Sequence, residues 1–154
     1  MIKLNIGCGN DILEGYINHD ITKHRDDIDV AFDLEDKHWN YDEKENVRFV
    51  YKFDEIRAFD VLEHLNDPIN FMDNCWSLLK EDGILHVKVC GWQNPNFHVD
   101  PTHKHAYDIK SFDYFDPSTQ IGTEYGFYTK KRWKILDKKY DKHKNPVVKL
   151  TPIK

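Results

Sequence analysis

Five short β-prone runs mark the first ninety positions: Ile2–Ile6, Tyr16–Asp20, Val30–Leu34, Glu55–Phe59 and Ile84–Cys90. The last is the clearest. Its apolar residues alternate with polar ones behind a turn at Gly83, the pattern of a half-buried strand. Between the fourth and fifth runs, Asp67 followed by Pro68 signals a helix start, an N-cap with proline at the first helical position. Ile69, Met72, Trp76 and Leu79 then recur at helical spacing, up to a stop at Glu81-Asp82-Gly83. Strand, helix and strand make a βαβ unit, which joins parallel strands. Beyond residue 130 the pattern changes. Trp133–Tyr140 and Val147–Leu150, separated by the polar segment 141–146, predict an antiparallel hairpin on the sheet edge. The predicted fold class is α/β, with a mostly parallel central sheet and an antiparallel C-terminal hairpin.

The length of 154 residues fits one domain with a core of its own. A net charge of −5 argues against nucleic acid as the main partner. The basic stretch 130–144 reads as a solvated strand face. Nine Phe, eight Tyr and four Trp exceed what the core needs, so some are expected at a pocket or interface. Cys8, Cys75 and Cys90 form no C-x-x-C pair, which points to a reducing compartment. No run reaches the ~20 apolar residues of a membrane helix, and no secretory signal pattern is seen. The expected location is the cytoplasm, with no membrane partner.

Candidate chemistry begins at the end of the first strand. Gly7 and Gly9 sit at a strand's carboxyl end, where open α/β sheets bind ligands. Glycine there permits positive φ and close approach of a ligand to the backbone. Asp20 ends the second strand, where a carboxylate can accept hydrogen bonds from both hydroxyls of a ribose. The dinucleotide pattern would need a small residue at Ile12, and a P-loop would need Gly-Lys-Ser/Thr, which is absent. No lysine or arginine lies beside the turn to meet a phosphate. The expected ligand is a nucleoside without phosphates.

Five segments, LNIGCGN, GYINHDI, VAFDLED, FDEIRAFDVLEHLNDP and LLKEDGILHVKV, follow one another across residues 2–91. In that order they resemble the motifs of class I S-adenosylmethionine-dependent methyltransferases. The resemblance implies a Rossmann-like fold, S-adenosylmethionine as cofactor and S-adenosylhomocysteine as product. It places Gly7, Cys8 and Gly9 at the amino-acid end of the cofactor and Asp20 on the ribose. Asp33 and Leu34 would lie beside the adenine, with Ala58 and Phe59 facing the methionine part. The single domain, 1–154, would then divide into a cofactor-binding half (2–91), a substrate or lid region (92–130) and C-terminal strands (131–154). One departure stands out. Only nine residues, Gly7 to Gly15, separate the first two strands, so the usual first helix is expected to shrink to a turn or become a loop. Part of one sheet face would then be bare, and a second copy of the chain could cover it as a homodimer.

Methyl transfer from a sulfonium needs alignment, exclusion of water and, for an oxygen or nitrogen nucleophile, a base of near-neutral pKa. Histidine suits that role. The segment NPNFHVDPTHKHAYD directly follows the fifth strand and resembles the DPTH segment of many small methyltransferases. His98, Asp100 and His103 are the candidate catalytic residues: a histidine as base, oriented by Asp100. The alternative is a polar loop whose Asp-Pro and Thr-His pairs set turns. His98, Asp100, His103 and His105 also have ligand types for a transition ion. So do Asp60, Glu63 and His64, which resemble the Glu-x-x-Glu-His motif of metal-assisted methyltransferases. No metal ligand is assigned from the sequence. The expected activity is methyl transfer to an O or N nucleophile of a small molecule or sugar. The alternatives are a cofactor-binding accessory module that needs a partner, and a metal-dependent enzyme using the His98–His105 loop.

Overall fold

Seven strands form one sheet in a computed structural model of the chain, which describes residues 1–37, 39, 49 and 52–154. They are β1 (Lys3–Ile6), β2 (Ile17–Asp20), β3 (Val30–Ala31), β4 (Phe53–Phe59), β5 (Leu79–Lys88), β6 (Arg132–Tyr140) and β7 (Pro146–Ile153). Their spatial order is β3-β2-β1-β4-β5-β7-β6. β1 to β5 pair in parallel, while β7 runs antiparallel to both β5 and β6. The expected α/β class, parallel sheet and edge hairpin are therefore present. The winding direction reverses between β1 and β4, the switch point at which open α/β sheets leave a crevice.

Helix α1 (Pro68–Leu78) connects β4 to β5, and its first turn is capped by Asp67, whose carboxylate accepts from the Asn70 N–H at 2.9 Å. It ends three residues before the expected acidic stop. Leu79 already pairs with Phe53, so the chain enters β5 directly and Gly83 lies inside a strand. A Cβ at Gly83 would stand 3.0 Å from the Phe53 carbonyl oxygen, so the close approach of β4 explains this glycine better than a helix stop does. The buried stripe of α1 is Phe71, Met72, Cys75 and Leu78. Trp76, expected in that stripe, sits at its margin, where its indole N–H donates to the Arg132 carbonyl at 3.0 Å. The third strand shrinks from five residues to two.

One sheet face is apolar. Leu4, Ile6, Ile56, Ala58, Leu85, Val87, Val148 and Leu150 are all buried and pack with the stripe of α1. The opposite face of β4 and β5 carries Glu55, Arg57, Phe59, His86 and Lys88, all half-buried. This is the face expected to be bare, and its charges suit it to water. Phe59 is covered by the Arg57 guanidinium 3.9 Å from its ring centre and by the edge of His86.

The first crossover contains no helix, only the loop 7–16. Polar side chains pin it where a helix would pack. Asn5 and Asn18, both buried, point to that face of β1 and β2. Asn5 Nδ2 donates to the Asp11 carbonyl and to Asn18 Oδ1, which also accepts from the Leu13 N–H. The Arg57 guanidinium bridges Asn5 Oδ1 and the Asp11 carboxylate at 2.8 and 2.6 Å. A loop's backbone groups need partners, and these side chains supply them.

Candidate active site

The glycine turn after β1 is built on left-handed backbone, φ +61° at Gly7 and +52° at Gly9. Their reasons differ. A Cβ at Gly7 would stand 2.5 Å from Val61 Cγ2, so glycine lets this turn and the one after β4 touch. A Cβ at Gly9 would meet no atom within 4 Å. β2 holds the turn from below. The Cys8 N–H donates to the His19 carbonyl at 2.9 Å, and the Gly9 N–H to Asp20 Oδ2 at 2.7 Å. The other Asp20 oxygen accepts from the Ile21 N–H at 2.7 Å. His19 is buried, and its Nε2 lies 3.1 Å from the Phe32 carbonyl, which can only accept. Its Nδ1 is therefore an acceptor and receives the Gly7 N–H at 3.4 Å. His19 thus ties the glycine turn to the segment after β3.

A cleft of about 280 Å³ opens at the switch point, lined by Gly7, Gly9, His19, Asp20, Ile21, Asp33, Leu34, Asp60, Val61, His64 and Leu65. The far wall follows β4. Asp60 adopts φ +57°, unusual for a residue with a side chain, and redirects the chain under the cleft. Its carboxylate pairs with Lys88 at 2.6 Å.

Of the residues assigned from sequence to the cofactor, Gly7, Gly9, Asp20, Asp33 and Leu34 line this cleft. Cys8 lies beneath it, buried, and burial together with the Asp20 charge raises its thiol pKa. Ala58 is buried in the core, and Phe59 points to the charged sheet face. The wall assigned to that pair is formed instead by Asp60, Val61, His64 and Leu65. The turn at Asp60 moves the wall one step beyond the strand's end, where open α/β sheets bind ligands.

S-adenosylmethionine is compatible with this cleft. Gly9 leaves open space over bare backbone, Asp20 offers a carboxylate for hydroxyls, and Leu34, Val61 and Leu65 offer an apolar wall. Asp20 and Asp33 give the cleft a negative charge that complements a sulfonium, while Asp60 is compensated by Lys88.

A second, polar cleft of about 360 Å³ adjoins the first, and Asp60 and His64 line both. Glu63 and His64 come from a 3-10 turn, Leu62–His64, directly after Asp60. Asp100 and His103 come from the loop after β5, which docks through the Lys104 N–H onto the Glu63 carbonyl at 2.7 Å. Glu63 is only 1% exposed; its Oε1 accepts from the Cys90 N–H at 2.8 Å, while Oε2 has no partner. Burial raises its carboxyl pKa.

His64 Nδ1 lies 2.8 Å from Thr102 Oγ1, and that hydroxyl donates to Asp100 Oδ1 at 2.7 Å. His64 Nδ1 must then be the donor. Burial, and next the nearby His103, lower the His64 pKa. His103 Nδ1 faces the Phe97 carbonyl at 3.0 Å and is a donor as well. The hydroxyl and N–H of Thr102 hold the Asp100 pKa below the usual carboxylate value. Asp100 therefore acts on His64 through Thr102, and approaches His103 Nε2 only to 3.8 Å. His98 is exposed at the end of a 3-10 turn, its ring edge-on to Phe97, and lines neither cleft.

A third cavity of about 220 Å³ lies between the start of α1 and residues 107–129, with walls that include Leu62, Ile69, Met72, Phe112 and Phe115. It offers no carboxylate or cation to hold a ribose or an amino acid. Tyr107 and Phe112 belong to the core, whereas Trp92 is 53% exposed.

Residues 3–134 match the family described as "Methyltransferase domain", so the chain belongs to the methyltransferase-domain family. Its fold is the Rossmann-like fold of S-adenosylmethionine-dependent methyltransferases. Solved structures with the same fold include a methyltransferase in complex with the Trm112 methyltransferase activator of Haloferax volcanii. That comparison has TM-score 0.64 and 9% identity, covering 97% of this chain and 81% of the other. An S-adenosylmethionine-dependent methyltransferase from Clostridium acetobutylicum gives TM-score 0.61 and 12% identity, covering 97% and 82%. The N-methyltransferase NodS from Bradyrhizobium japonicum, complexed with S-adenosylhomocysteine, gives 0.59 and 14%, covering 99% and 78%. A ubiquinone biosynthesis O-methyltransferase of Histophilus somni is 37% identical over 43 residues, 28% of this chain and 18% of that protein. Among the described residues no helix is long and apolar enough to cross a membrane.

Proposed function

We propose that the chain methylates an oxygen or nitrogen nucleophile of a small polar molecule, with the acceptor in the polar cleft. The observation that supports this reading is the junction of the two clefts at Asp60 and His64. A donor in one cleft and an acceptor in the other would meet there. When bound, S-adenosylmethionine supplies a methyl group on a sulfonium, and S-adenosylhomocysteine remains after transfer. Gly7, Gly9, Asp20, Asp33 and Leu34 hold the cofactor. His103, whose Nε2 keeps a lone pair, would take the proton that the acceptor gives up on methylation. Asp100 fixes the loop that carries His103. Residues 92–130 shape the acceptor site. The buried, unpaired Cys8, Cys75 and Cys90 suit a cytoplasmic enzyme.

A second reading, turnover only with a protein partner, is favoured by one observation. Tyr125, Phe127 and Tyr128 are 47%, 75% and 56% exposed in one short segment, an aromatic surface of the kind that partners cover.

Calorimetry with S-adenosylhomocysteine and methyl transfer to a panel of hydroxyl and amine acceptors test the proposal. One binding site per chain is expected, with affinity roughly 10–100-fold lower in Asp20→Asn, from the loss of hydrogen bonds to a charged group. His103→Ala is expected to lower turnover by about 10²–10⁴-fold without loss of cofactor binding. Absence of cofactor binding, or full turnover by His103→Ala, would overturn it.

A further inference from the structure

Glu63, His64 and His103 each bring a possible ligand atom into one small region. These three atoms lie within 4.8 Å of one another, at the floor of the polar cleft. The hydrogen-bond pattern determines what they present. Each histidine commits its Nδ1–H elsewhere, His64 to Thr102 and His103 to the Phe97 carbonyl. Each ring therefore keeps a lone pair on Nε2. Glu63 commits Oε1 to the Cys90 N–H and keeps Oε2, buried and without a partner. Three potential electron-pair donors thus lie together, one of them a buried carboxylate oxygen without a partner, and a cation would satisfy them all. The ligands are also braced from behind, His103 by a backbone carbonyl and His64 by the Thr102–Asp100 relay. Metal-binding histidines are oriented in this way.

From this convergence we infer that Glu63, His64 and His103 form a site for one divalent first-row transition cation. Two imidazoles and one carboxylate favour zinc or its neighbours over magnesium, which prefers oxygen. Three protein ligands leave a coordination position open, as catalytic sites do. The position opens into the polar cleft, where an oxygen of the acceptor would take it and lose its proton to water, His103 Nε2 then being a ligand in place of the base; this role, unlike the site, rests on the function proposed above. Neither sequence segment contains the full set. The turn after β4 gives Glu63 and His64, and the loop after β5 gives His103. Asp60 stays outside it, paired with Lys88, and so does His105, whose Nε2 faces the Asn66 carbonyl.

The test is titration of chelator-stripped full-length chain with Co²⁺, followed by its visible ligand-field absorption, then competition with Zn²⁺. S-adenosylhomocysteine binding is measured on the same samples. One Co²⁺ per chain is expected, displaced by Zn²⁺. His103→Ala and Glu63→Gln should abolish the absorption, and Thr102→Val should weaken binding about 10–100-fold by unbracing His64. Circular dichroism confirms that each variant is folded, and His103→Ala, in an exposed loop, is read if Glu63→Gln is not. The site is refuted if wild type binds no stoichiometric Co²⁺, or if folded His103→Ala binds it unchanged; a proton shared by Glu63 and a histidine would then account for the cluster. Cofactor binding without metal binding would refute the site alone. Metal binding without cofactor binding would refute the methyltransferase reading alone.

Discussion

Gly7 and Gly9 share a backbone conformation but face different surroundings, and their substitutions should separate. Gly7→Ala combines left-handed strain with a Cβ driven into Val61, so it should destabilise the fold by about 2–4 kcal/mol. Gly9→Ala carries the strain alone, about 1–2 kcal/mol. Its methyl group, however, would enter the open space over the backbone that is proposed to hold the cofactor, and should weaken S-adenosylhomocysteine by roughly tenfold. Denaturant unfolding and calorimetry on the two variants check this; equal stability losses would contradict it. The glycines and Asp20 were legible in the sequence because their requirements are local: positive φ, bare backbone and a carboxylate at a strand end. The opposite wall was not. Whether Phe59 or Val61 faces the cleft depends on the left-handed Asp60 between them, and nothing in the composition of the segment signals that turn. The pairing of Glu63 and His64 with His103 was hidden for another reason, since it spans two connections that meet only once β4 and β5 pair.

The loop that replaces the first crossover helix owes its shape to side chains. The shortness of the 7–15 segment announced the missing helix, whereas the pinning role of Asn5 and Asn18 emerges only once β1 and β2 pair. Asn18→Ala leaves Asn5 Nδ2 with one partner fewer and the Leu13 N–H with none. The expected loss is about 1–3 kcal/mol for each buried group left without a partner, measured as a lower midpoint of urea unfolding. An unchanged midpoint would mean that water replaces the amide. The end of α1 was misplaced because Glu81-Asp82-Gly83 has the composition of a helix stop, while the pairing of Leu79 with Phe53 is a contact distant in sequence.

Two halves of the chain meet at Asp108. Its carboxylate accepts from the Lys110 N–H, the Tyr140 hydroxyl and the Trp92 indole, which joins the loop after β5 to the C-terminal hairpin. The Lys110 N–H, then the Tyr140 hydroxyl, lower its pKa in the folded chain. Stability from Asp108 is therefore fully present above the unfolded value of about 3.9, and is lost as pH falls through the lower folded value. Asp108→Asn should shallow the acid limb of the stability–pH curve while leaving its slope above pH 6 unchanged. An acid limb identical to wild type would contradict this role. The two clefts depend on the same long-range assembly: one lies between β1 and β4, and the other under the loop that Asp108 anchors.

The most direct measurement is a titration of ¹⁵N-labelled chain with S-adenosylhomocysteine, followed by amide chemical shifts, because the two clefts and the apolar cavity described above carry different reporters. Saturation at one ligand per chain is predicted, with the largest shifts at Gly7, Gly9, Ile21, Leu34 and Val61. Shifts confined to Ile69, Met72 and Phe112 around the apolar cavity, or none at all, would contradict the assignment of the methyl donor to the glycine cleft.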